Sequence, residues 1–118
     1  MNGFLNLEKE KVIEKTDDSV SLEFSVPCSS YYFDGHFPAF PILPAVAQME
    51  IVVRFASRYL GTGLVLFEIR RIKFSTLVLP ETALLLKLSK KDTAVTFTIS
   101  SVDGKTTYST GTVVTGNL

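Results

Sequence analysis

With 118 residues, 46% of them hydrophobic and 20% charged, the chain is long enough to bury one core without disulfides and too apolar to stay disordered. Lys plus Arg and Asp plus Glu both number 12, so no bulk field draws the protein to nucleic acid. Cys28 is the only cysteine, which excludes an internal disulfide and a multi-cysteine zinc site and fits a reducing compartment. No metal or cofactor is called for. The first residues turn charged at Glu8 to Lys11, unlike a signal peptide, and no apolar run reaches the roughly 20 residues of a membrane helix. A single domain in the cytoplasm, away from the membrane, is the expectation.

Glu10 to Lys15 is predicted to pair across a turn at Asp17-Asp18 with Ser19 to Val26, where apolar and polar residues alternate strictly up to Pro27. Cys28 to Pro44 holds Gly35, Pro38, Pro41 and Pro44, so neither helix nor strand persists there; an aromatic-rich loop of this kind suggests a site. From Pro44 to Leu60 nothing breaks a helix, with Pro44 suited to its start and Gly61 to its end. Val46, Met49, Ile51, Val52, Val53, Phe55, Ala56, Tyr59 and Leu60 cover most of its circumference, which predicts burial on several sides; Glu50, Arg54, Ser57 and Arg58 form a polar strip. Leu64 to Leu79, Ala83 to Ser89, Thr93 to Ser101 and Lys105 to Val114 read as successive antiparallel strands, the last two joined at Asp103-Gly104, a pair favoured in type I′ turns. One almost wholly apolar helix with strands on both sides of it in the chain is best buried by a curved antiparallel sheet wrapped around it, an α+β arrangement.

The segment from Phe33 to Glu50 contains Gly35-His36-Phe37-Pro38, then Pro41-Ile42-Leu43-Pro44, then an acid fourteen positions after the histidine. It resembles the signature of the bacterial 3-hydroxyacyl-(acyl carrier protein) dehydratases, and Ile69 to Thr82 is similar to that family's strand ending in a Pro-Gly-Asp-like turn. Ala47-Gln48 before the acid resembles the small aryl-polyene-type branch. The resemblance implies the hot-dog fold, a substrate carried as acyl-phosphopantetheine on acyl carrier protein, and a homodimer in which His36 of one chain meets Glu50 of the other. Glycine is usual in that family where Ala45 stands, and glutamine is frequent where Arg54 stands.

The chemistry can also be built from the residues. Dehydration of a 3-hydroxyacyl thioester needs a base for the C2 proton, an acid for the departing hydroxyl and donors for the enolate-like oxygen. His36, the only histidine, suits the base because imidazole is largely neutral near pH 7. Glu50, between Met49 and Ile51, suits the acid if its apolar neighbours raise its pKa. The N–H groups of Ala45 and Val46 at the helix start suit the oxyanion. Gly35 belongs to the same loop motif, and Phe37 and Phe40 are candidates to line an acyl tunnel, although clustered aromatics are as often plain core.

Competing readings exist for each residue. A lone histidine beside Gly and Pro is commonly a loop residue, and Glu50 with Arg54 and Arg58 has the spacing of a helix ion-pair ladder. At the level of function, a hot-dog thioesterase and a non-catalytic acyl-binding dimer partner compete with the dehydratase. Arg70, Arg71, Lys73, Lys87, Lys90 and Lys91 gather in the second half of the chain and are candidates to meet an acidic carrier protein.

Overall fold

The strict alternation after Ser19 becomes a central strand. The computed structural model describes residues 10–26, 43, 45–79 and 81–116, so the Cys28 to Ile42 stretch and Pro44 lie outside the described residues. The chain runs as β1 (Lys11–Lys15), β2 (Ser19–Phe24), α1 (Ala45–Leu60), β3 (Val65–Phe74), β4 (Leu84–Lys91), β5 (Ala94–Ser101) and β6 (Thr107–Gly116). The strands form one antiparallel sheet in the order β1-β2-β4-β5-β6-β3, with α1 against one face. This is the expected hot-dog arrangement.

Register explains the core. Val20, Leu88 and Phe97 pair in one inward row, and Leu22, Leu86 and Ile99 in the next. All six are at most 2% exposed. Ile51, Val52, Phe55 and Ala56 of α1 pack onto them, with Phe55 meeting Phe24 edge to face at a centroid distance of 5.3 Å. Gly61 ends α1 in the left-handed region, at φ 70°, its N–H donating to the Ser57 carbonyl at 3.2 Å. Lys90 Nζ donates to the Leu60 carbonyl at 2.9 Å, a cation at the negative end of the helix dipole.

Four expectations need correction. The stretch from Leu64 to Leu79 is not one strand paired to its successor: β3 stops at Phe74 and pairs with β6 at the far edge, because Ser75 and Thr76 turn their N–H groups to the Tyr108 carbonyl. The β5–β6 connection is a hairpin but not a type I′ turn. Gly104 N–H donates to the Ser101 carbonyl at 2.9 Å and Ser101 N–H to the Thr106 carbonyl at 2.8 Å, while φ is positive at Gly104 and not at Asp103. A β-turn with Val102 and Asp103 at its centre, then glycine in the left-handed region, makes a four-residue loop that serves the same twist. Val46 is not buried; it is 81% exposed at the start of α1. And Arg58 does not continue a ladder from Glu50. It pairs with Glu10, which also accepts from Tyr59 Oη at 2.6 Å. Burial alone would raise the Glu10 carboxyl, but these hydrogen bonds and the Arg58 charge outweigh it and hold the group below its ordinary pKa.

Candidate active site

α1 has two working faces. Ile51, Val52, Phe55 and Ala56 meet the sheet, whereas Val46, Met49, Glu50, Val53 and Arg54, spaced i, i+3, i+4, i+7 and i+8, turn to a cleft. That is why the helix reads as apolar almost all round. Leu64 before β3, and Leu66 and Ile69 on it, line a cleft of about 290 Å³ in which, among the described residues, the ionisable linings are Glu50 and Arg54. Glu50 is half-buried there, so its carboxyl reaches the cleft from an aliphatic wall.

One helical turn before Glu50, Val46 lines the same cleft, and Ala45 is the first residue of α1. The N–H groups of a helix's first turn have no acceptor within the helix, and no acidic side chain occupies this one. A carboxyl and an N–H-bearing helix start therefore share one apolar recess, which suits an acyl group with a polar reacting centre. His36, Gly35, Phe37 and Phe40 lie outside the described residues.

The lead-in to α1 is tied on both sides. Leu43 N–H donates to the Val78 carbonyl at 2.8 Å, and the Leu43 carbonyl accepts from Gln48 Nε2 at 3.1 Å. Gln48 Oε1 accepts from Ser109 Oγ at 2.8 Å. Sequence reading missed Gln48 and Ser109 as a pair. Gln48 enters the sequence reading only beside Ala47, as a branch resemblance, and the inward face of β6 cannot be told from the outward one where Ser109, Thr110, Thr112 and Thr115 fall on both.

Among the six candidate carrier-facing cations, Lys87 and Lys73 end one cross-strand row through Thr98 and Thr110 on the outer face of the sheet. Arg70 is joined to Glu68 through Nε at 2.6 Å, and Lys90 turns to the helix end. The six do not form one patch. Among the described residues no helix is long and apolar enough to cross a membrane.

Comparison with known proteins agrees with this geometry. Residues 12–112 match the family described as ApeI-like: ApeI dehydratase. A curated relative, the 3-hydroxyacyl-[acyl-carrier-protein] dehydratase FabZ of Streptococcus mutans, is 31% identical over 107 residues, covering 81% of this chain and 76% of its own. Among solved structures, the dehydratase heterocomplex ApeI:P from Xenorhabdus doucetiae superposes with a TM-score of 0.77 at 27% identity, covering 92% of this chain and 98% of its own. A coenzyme A-bound hypothetical thioesterase from Streptococcus pneumoniae, at 14% identity and a TM-score of 0.64 over 98% of this chain and 92% of its own, shares the fold alone. With a family match spanning most of the chain and an acid on the cleft-facing side of the central helix, the protein belongs to the ApeI-like dehydratases, within the hot-dog 3-hydroxyacyl thioester dehydratases.

Proposed function

We propose that the protein is a 3-hydroxyacyl-(acyl carrier protein) dehydratase of the cytoplasm, forming trans-2-enoyl thioesters for fatty acid or polyene-type chains. The observation that carries this reading is the half-buried Glu50 on the same aliphatic cleft as the start of α1. His36 takes the C2 proton on an imidazole nitrogen, and the electron pair of the broken C2–H bond forms the C2–C3 double bond. The C3 hydroxyl leaves with a proton from Glu50 as water, and the N–H groups of Ala45 and Val46 hold the thioester oxygen while charge builds on it.

The site is shared between two copies. β3 is an edge of the sheet and carries Leu66, Phe67, Ile69 and Phe74, each more than a third exposed, next to the exposed Leu64 and Val46. An uncovered apolar edge of this length is a liability that a second β3 removes. The other edge, β1, has 5 residues against the 10 of β3 and exposes two large apolar side chains, Val12 and Ile13. The family resemblance supports the same reading, since it implies that His36 of one copy meets Glu50 of the other.

This reading is tested by mixing inactive His36→Ala and Glu50→Gln proteins under conditions that exchange subunits. Heterodimers then carry one intact site of two, and activity returns. Exchange without recovery of activity contradicts the shared site. The similarity to a dehydratase heterocomplex, together with Ala45 at the oxyanion position, favours a second reading in which the natural partner is a related chain rather than a second copy. In that case the chain alone makes no enoyl product, and adding an active relative that pairs with it restores turnover.

A further inference from the structure

We infer that Gln48 is a positioning residue for the reaction: it holds the lead-in to α1 so that the first-turn N–H groups keep their aim at the thioester oxygen. The inference rests on the proposed dehydration, in which those groups form the oxyanion site.

The inward row Leu22, Leu86 and Ile99 continues on β6 not with a fourth apolar residue but with Ser109, fully buried. Its hydroxyl has one use, donating to Gln48, which is itself 4% exposed. Gln48 then donates to the carbonyl of Leu43, two residues before α1 begins, and the N–H of Leu43 is spent on Val78. Three hydrogen bonds thus connect β6, the start of the helix, the segment after β3 and the backbone leading into the site.

Stability gives a weak reason for such a chain. A buried Gln–Ser pair loses side-chain entropy and hydration that an apolar pair of the same shape does not, and replacing both partners of a buried hydrogen bond by apolar groups is often nearly neutral. What the polar pair adds is direction. A leucine in place of Gln48 fills space but leaves the Leu43 carbonyl free to rotate, and with it the peptide planes that feed the first N–H groups of α1. Angstrom-scale misplacement of a group that meets the transition state costs on the order of 10²-fold in rate. Glu50 lies half a turn further along the same helix, so the lock also fixes the distance between the acid and the oxyanion site.

The test uses the intact protein with Gln48→Met, Ser109→Ala, the double variant and Gln48→Glu. Dehydration kinetics, melting temperature and amide hydrogen exchange at Leu43, Ala45 and Val46 are measured for each. For Gln48→Met, kcat falls about 10- to 100-fold with KM nearly unchanged, as for a contact that matters in the transition state, and exchange at Leu43 quickens. The double variant regains melting temperature relative to Gln48→Met, because no buried hydroxyl is orphaned, but regains no turnover. In Gln48→Glu only the protonated carboxyl can donate to Leu43, so its turnover relative to the parent rises as pH falls. A melting temperature that drops while kcat stays at the parent's value overturns the inference, and so does kcat that returns with stability in the double variant. Should the parent fail to dehydrate the thioester, the proposed function falls. The lock is then judged by exchange alone, faster at Leu43 in Gln48→Met if it stands and unchanged if it does not.

Discussion

Replacing Glu50 by glutamine is expected to lower turnover of a 3-hydroxyacyl thioester by about 10²-fold or more, the usual range for a positioned acid or base, with the fold intact. Glutamine matches glutamate in size and keeps polar atoms at the mouth of the cleft, so the walls made by Val46, Met49, Val53 and Leu66 have no cause to move. What it removes is a proton that can be given to a departing hydroxyl. The loss therefore falls on kcat more than on KM. Because Glu50 is half-buried and faces the cleft rather than the sheet, the melting temperature stays close to the parent's. His36→Ala is expected to act as strongly through loss of the base. Near-parental turnover in the Glu50 variant removes the acid from the mechanism.

The largest effect on stability is expected at Phe55. Its ring is 2% exposed, stands edge-on to Phe24 and belongs to the helix face that meets Leu22, Leu86 and Ile99. Truncation to alanine loses the transfer energy of the ring and leaves a cavity between the helix and the sheet, a cost of about 3–5 kcal/mol. For a chain of this length that lowers the melting temperature by on the order of 10–20 °C. The comparison is made at one protein concentration, since any association of subunits would add to apparent stability. At a temperature where the variant is folded, its turnover stays near the parent's, because Phe55 points away from the cleft. A shift of only a degree or two contradicts the packing described for α1.

The fold was legible because its signals are strong and local. Alternation from Ser19 to Val26 and from Val95 to Ile99, and a mostly apolar stretch free of helix breakers between Pro44 and Gly61, each admit one kind of element. The pairing of β3 with β6 was not legible. Nothing in Leu64 to Leu79 marks the stop at Phe74, and β3 exposes Leu66, Phe67, Ile69 and Phe74, so hydropathy does not mark it as an edge. The same ambiguity explains Val46, which hydropathy assigns to a core and the fold assigns to a cleft mouth. In the candidate site, Glu50 stood out as the one acid within an apolar helix, and it lines the cleft. The Gln48–Ser109 lock was invisible because it joins two polar residues 61 positions apart that only the register of the sheet brings together.

Incubation of the purified protein with a 3-hydroxyacyl chain on acyl carrier protein, with the acyl group followed by mass, tests the dehydratase assignment most directly. The expected result is loss of one water from the acyl chain with the thioester intact and a conjugated enoyl absorbance appearing at the same rate. Release of the free hydroxy acid with the carrier thiol, or a substrate left unchanged by the chain alone and with an active partner, would contradict it.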